Sequence, residues 1–354
     1  MKKIILLSLM FMVSNCYAVT FSTKTIKSSG GDYTSLTAWE AGEQADLVAL
    51  DRVAVAECYD FESVESPISI NGWNTDATHY IKIYVPPSER RAPANPLRYR
   101  GGTADQGFAL KGNQETAYNG MINCYEDYIK FEGLQVWNSG GQGVNGRATV
   151  SIISVSSTTN KIEFTDCVLG GDCQYQMYSN DTDTKLYIKN TLTYSHSNVA
   201  TKYPLSLASI TTCYAYNCTI SGGYVLGSSI TCTAKNTYSD DWYDSPNNFS
   251  GNNNASGSAT TPTGTGNLSN LVKASQFVDI TSGTEDFHLL TTGSLDENGL
   301  DLSADTIMSF TTDIDGYTRP SGTYWDISAS EYQSAPPPPP PGGRRRNRTV
   351  INIQ

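Results

Sequence analysis

The residues best suited to chemistry are few. Asp240 and Asp241 stand side by side in YSDDWYD, with Asp244 close behind. Two carboxylates can act as acid and base across a sugar bond if both face one cleft. Neighbouring residues of a strand point to opposite faces, which weighs against this pair. Asp181 and Asp183, in NDTD, offer oxygens that a calcium ion accepts. The same four residues also fit an Asx-turn, and the spacing of a calcium-binding helix–loop–helix is absent. Only three histidines occur, His79, His196 and His288, and no Cys/His cluster has zinc-ligand spacing. No nucleophile-elbow or phosphate-loop motif is present. The chemistry that stands out is aromatic: the chain has 22 tyrosines, and Tyr187, Tyr214 and Tyr216 recur at related positions. An aromatic face meets the C–H groups of a sugar ring while the hydroxyl stays wet, so a row of tyrosines suits a glycan. The same row would also brace a sheet through cross-strand pairing.

The elements that position these residues are repeats. Five segments share one pattern: IKFEGLQV (129–136), IEFTDCVL (162–169), LYIKNTLT (186–193), CYAYNCTI (213–220) and CTAKNTYS (232–239). Their first and third positions alternate with polar neighbours, the period of a half-buried strand. The fifth position holds only Gly133, Asp166, Asn190, Asn217 or Asn236. These residue types tolerate a left-handed backbone, so a corner is expected there. Strand, corner and strand, repeated at irregular intervals, describe the coils of a solenoid with variable loops. Tyr187, Tyr214 and Tyr216 then fall on the outward face of adjacent coils. Cys167, Cys213, Cys218 and Cys232 fall on inward positions, where a free thiol packs as a small apolar residue.

This pattern resembles the right-handed parallel β-helix proteins of the pectin-lyase-like superfamily, in which corner asparagines stack into a ladder. The resemblance implies an all-β, single-chain parallel β-helix with an N-terminal capping helix and a C-terminal cap. GGDYTSLTAWEAGEQADLVAL (30–50) resembles the opening of secreted members, where Thr34 or Ser35 would cap a helix and Trp39 would sit in the cap core. Segments at 276–279, 286–289, 313–316 and 325–332 resemble their closing region, departing from it at SLDENG (294–299) and ISASEY (327–332). His288 lies in this region and is read as structural. A Gly-His-Gly, as in the polygalacturonases, is absent, and no calcium-plus-arginine set of the pectate lyase kind stands out.

The expected organisation is a signal peptide (1–18), an N-terminal cap (19–50), coils (51–239), a polar tract forming a loop or degenerate coils (240–275), a C-terminal cap segment (276–332), and a polyproline spacer with a basic tail (333–354). Lys2, Lys3 and the apolar run 4–13 suit a secretory leader and are too short to span a bilayer. Cleavage after Ala18 and lipidation at Cys16 are both open. Four arginines (Arg90, Arg91, Arg98, Arg100) enrich a loop and suit local pairing or an anion.

The formal charge is −11, and removing the six cations Lys2, Lys3, Arg344, Arg345, Arg346 and Arg348 takes it to −17 for residues 19–341. Such a body repels nucleic acid and weighs against polyanionic glycans. The expectation is a secreted, extracellular or cell-surface protein that binds a polysaccharide or cell-surface glycan without cleaving it, and without a cofactor. A polysaccharide lyase or glycoside hydrolase is the alternative, and a tail-spike-like receptor binder a further one.

Overall fold

A computed structural model describes residues 18–59, 62–90, 107–140, 146–153, 161–196, 202–207, 210, 212–227, 230–242, 248–281 and 285–333. Residues 1–17, Arg91, Arg98, Arg100, Asp244 and the spacer and tail from 334 onward lie outside the described residues.

The chain folds as a parallel β-solenoid with three strand columns. One coil runs from Ile129–Glu132 through a corner to Gln135–Asn138, on to Ala148–Ile152, and back to Lys161–Thr165 above its start. The first column is a nine-stranded parallel sheet in which each strand pairs with the next coil's strand, from Thr20–Ile26 to Phe249–Ser250. The second and third columns form one 13-stranded sheet. They are joined by the long strand Thr219–Gly227, whose first half pairs in the second column and whose second half pairs in the third.

Register follows the five-copy pattern residue for residue. Ile129, Ile162, Leu186, Cys213 and Cys232 are successive backbone partners. A one-residue slip would turn every inward side chain outward, so burial fixes this register. Phe131 and Phe164 stack inside with ring centroids 4.7 Å apart. Above them the same position narrows to Ile188, Ala215 and Ala234. All seven described cysteines are buried thiols.

The corners are left-handed as the residue types require: φ is +70° at Gly133, +54° at Asp166, +45° at Asn190, +49° at Asn217 and +51° at Asn236. The column continues beyond the five copies, at Asn253 (φ +54°) and Gly266 (φ +69°). The polar tract therefore does form coils, paired through Ser250↔Thr263 and Ala255↔Leu268. The position after the corner, Leu134 or Cys167 in earlier coils, becomes Asn254 and Asn267. The Asn254 amide reaches the Ala234 carbonyl at 2.8 Å and the Thr237 N–H at 3.1 Å. Asn267 accepts from the Asn254 N–H at 2.8 Å. Side-chain amides thus satisfy backbone groups that an apolar interior would leave unpaired.

At the other end, the helix Leu36–Glu43 is capped by Ser35, whose hydroxyl accepts from the Ala38 N–H at 3.0 Å. Glu65 takes the N–H groups of Leu36 and Thr37 at 3.0 and 2.8 Å, placing a carboxylate at the helix's positive end. Leu36 and Trp39 point inward, and Trp39 packs on Trp73 with ring centroids 5.6 Å apart.

The closing segment departs from expectation. It lies along the flank of the coil, held by the corner asparagines. Asn190 donates to the Thr312 carbonyl (2.7 Å), Asn217 to those of Asp326 and Ser328 (3.0 and 3.3 Å), Asn236 to Leu300 (2.8 Å) and Asn253 to Asn298 (2.8 Å). Its own fold rests on buried ions. Arg319 and Glu331 pair at 2.6 Å with both side chains fully covered. Arg319 also reaches the carbonyls of Ser328 and Ala329. His288 bridges Asp286 (2.5 Å) and Asp315 (3.2 Å).

Two outcomes are expected. Asn217→Ala loses two carbonyl contacts and the polar side chain that lets asparagine tolerate left-handed backbone, costing about 2–4 kcal/mol in urea unfolding; Asn217→Gly loses the same contacts but adopts that backbone freely and costs about 1 kcal/mol less. Burial lowers the His288 pKa, but the two aspartates more than reverse this and push it up to about 10. A pKa above the unfolded value gives stability that is full below pH ~6.5 and lost as pH rises through about 10. His288→Gln should therefore destabilise by on the order of 2 kcal/mol at pH 6 and by little at pH 10.5, read as unfolding midpoints at the two pH values.

Candidate functional site: a tyrosine ladder and the corner beside it

The first sheet brings the three expected tyrosines together, with Tyr187 and Tyr214 half-buried and Tyr216 closed off. Tyr187 and Tyr214 are register partners with rings 5.0 Å apart, and Tyr214 and Tyr216 lie 6.3 Å apart. Tyr216 is 1% exposed because Leu302, Met308, Phe310 and Trp325 of the closing segment pack over it. The row is thus a docking face for the protein's own chain, and Tyr216 is not an open sugar platform. A groove of about 230 Å³ remains beside Tyr187, between Lys161, Lys189 and Met308.

Asp181 and Asp183 form the turn rather than an ion cage: the Asp183 N–H donates to the Asp181 carboxylate at 2.8 Å. Among the described residues no group of three or more His, Cys, Asp or Glu side chains is arranged to hold a metal. Trp39 is cap core. Arg90 pairs with Asp166 (2.9 Å) and Glu132 (3.5 Å), on two coils of the first sheet, while the expected partner Asp105 lies outside the described residues.

The third column carries what the first does not. Tyr118, Tyr178, Tyr175, Tyr203 and Tyr224 form an unbroken row, with successive ring centroids 5.3, 5.0, 5.8 and 6.3 Å apart. Tyr118 is 52% exposed and the other four are half-buried. Tyr175 and Tyr203 are register partners on adjacent coils, their rings within 18° of parallel. Burial and the neighbouring phenols push the Tyr175 hydroxyl up to about 12. The sequence held a signal for it. The third-column strands begin YQMYS, YPLSL and, within the long strand, YVLG, each led by tyrosine.

The row ends at the corner between the second and third columns, where polar groups collect. Asp172 holds His196 at 2.8 Å. Tyr194 donates to Glu285. A depression of about 380 Å³ is lined by Lys202, Gly222, Gly223, Tyr224, Asp240 and Asp241. Both aspartates reach it, contrary to the alternation expected of neighbouring strand residues. Tyr238–Asp241 ends here, opposite a register shift between Ile220 and Tyr224, with Gly222 at φ +92°. A bulge of this kind breaks the pleat and re-aims side chains.

The two aspartates differ in their commitments. Asp240 accepts from the Lys273 ammonium (2.9 Å), the Gly222 N–H (2.7 Å) and the Tyr238 hydroxyl (3.0 Å). Lys273 also donates to Ser221. Asp240 is therefore a structural anchor that pins the bulge. One oxygen of Asp241 accepts from Ser258 (2.7 Å). Burial and nearby Lys273 lower the Lys202 pKa, partly offset by Asp240. Compared with known protein families, characterised proteins and solved structures, the chain matches none.

Proposed function

We propose that this is a secreted right-handed parallel β-helix of the pectin-lyase-like kind that binds a glycan chain along its third face without cleaving it. The observation that carries this reading is the five-tyrosine row. Tyr175, Tyr203 and Tyr224 climb three adjacent coils at 5.8 and 6.3 Å, near the rise between coils, and Tyr178 and Tyr118 extend the row sideways from Tyr175, so sugar rings of an extended chain meet a continuous aromatic surface. Each stacked ring removes apolar C–H surface from water while the phenol oxygen serves a sugar hydroxyl, worth roughly 1–2 kcal/mol per contact. A rigid β-scaffold holds the row in place, so little ordering cost accompanies binding.

One observation favours cleavage as a second reading. His196, oriented by Asp172, stands at the same corner as the end of the row, and an aspartate-held imidazole is a common general base.

Calorimetric titration with soluble polysaccharides tests the first reading. Tyr203→Ala, at the middle of the row, should weaken binding about tenfold or more with an unchanged melting temperature. Binding that survives Tyr203→Ala and Tyr175→Ala together would remove the row from the account. Appearance of new reducing ends or unsaturated sugars, abolished by His196→Ala, would replace binding with catalysis.

A further inference from the structure

The depression at the end of the row has a charge pattern that selects among glycans. It holds two cations and two carboxylates within one neighbourhood: Lys202 and Asp241 on its wall, with Asp240 on the wall and Lys273 bound to it. Asp240 and Lys273 satisfy each other. Among the described residues no carboxylate lies within ion-pairing distance of Lys202 and no cation within that distance of Asp241. The Asp241 oxygen not bonded to Ser258 has no described partner. The wall therefore offers one strong donor, one strong acceptor and the ring of Tyr224, which is also the last ring of the row.

We infer that this depression is a subsite for an uncharged sugar ring, gripped by two adjacent hydroxyls, one accepting from Lys202 and the other donating to Asp241, with Tyr224 against the ring face. The inference rests on the glycan-binding reading of the tyrosine row and names the class of glycan. A uronate or sulfate would gain Lys202 but meet Asp241 at close range, on a protein of net charge −11. An amino sugar would meet the mirror-image conflict with Lys202. The vicinal diol of a neutral sugar uses both groups without adding a charge that either repels, because each hydroxyl both donates and accepts. Lys202 is partly stripped of water, which makes a hydrogen bond to a neutral oxygen more favourable than at an open surface. Sites built to hydrogen-bond a hydroxyl discriminate strongly, since a mismatched ligand leaves their polar groups unpaired.

The test is titration calorimetry on the full chain with hexasaccharides of glucose, mannose and galactose, and with a uronic acid hexasaccharide and a sulfated hexasaccharide. At least one neutral hexamer should bind about tenfold or more tightly than either acidic one. Lys202→Gln and Asp241→Asn should each weaken the neutral ligand about tenfold, Lys202→Arg should retain most of the affinity, and Asp241→Asn should narrow the gap to the uronic acid ligand. Melting temperatures of all three variants check that the fold is kept. Acidic hexamers that bind as tightly as neutral ones, or variants that bind like wild type, would overturn the subsite; if Tyr203→Ala still weakens binding, the tyrosine row survives that result. If none of the five hexasaccharides binds, the glycan reading itself fails and the subsite goes with it.

Discussion

Everything in this molecule hangs on one backbone conformation repeated up the stack. At each corner between the first and second columns a single residue turns left-handed, at φ between +45° and +70° from Gly133 to Gly266. An ordinary side chain resists that conformation by about 1–2 kcal/mol per residue, so the column admits only Gly, Asp and Asn. Asparagine adds a second property. Its amide is buried at Asn190, Asn217 and Asn236, and a buried amide must be bonded. Some of that need is met up the column, as where Asn236 donates to Asn217 at 3.2 Å and Asn190 to Asp166 at 3.2 Å. Further N–H groups donate to carbonyls of the closing segment, while the Asn190 Oδ1 has no hydrogen-bond partner among the described residues. The conformation that turns the coil thus also fastens the closing segment to its flank.

That fastening explains why the outer faces differ. The closing segment covers Tyr216 on the first sheet and Val168, Leu192, Tyr238 and Ala255 on the second. The third column, farthest round the coil from the corner asparagines, keeps its tyrosines half-open. The same chemical feature, a cross-coil row of phenols, is covered by the closing segment at Tyr216 on one face and half-exposed on another. What decides between them is the covering chain, not the residues of the row.

Much of the coil was legible in the sequence, because a corner restricted to three residue types and a period-two strand leave a readable trace. Even the pairing of Ile129 with Ile162 and of Cys213 with Cys232 followed from aligning the corners. The third column was not legible by the same route. Tyr175, Tyr203 and Tyr224 follow their corners by 9, 13 and 7 residues, because the intervening loops differ, so no fixed spacing links them. The docking of the closing segment was hidden for another reason. Its buried residues, among them Leu295, Phe310, Ile314 and Trp325, belong to an irregular chain with no period to detect. The convergence of Asp240 and Asp241 was hidden by a bulge, which breaks the alternation that strand reasoning assumes.

The narrowing of the interior has a consequence of its own. Corners and backbone bonds are nearly the same in every coil, so by themselves they would let one coil dock on the wrong neighbour. The inward position runs Ala56, Ile83, Phe131, Phe164, Ile188, Ala215 and Ala234, widest at the two phenylalanines and narrower toward both ends. A strand displaced by one whole coil would set a small residue where a ring belongs, leaving a void, or crowd a ring into a space meant for a methyl group. This gradation penalises a slip of one whole coil wherever neighbouring layers differ, as between Phe164 and Ile188, and so helps give a repetitive backbone a single assembled order.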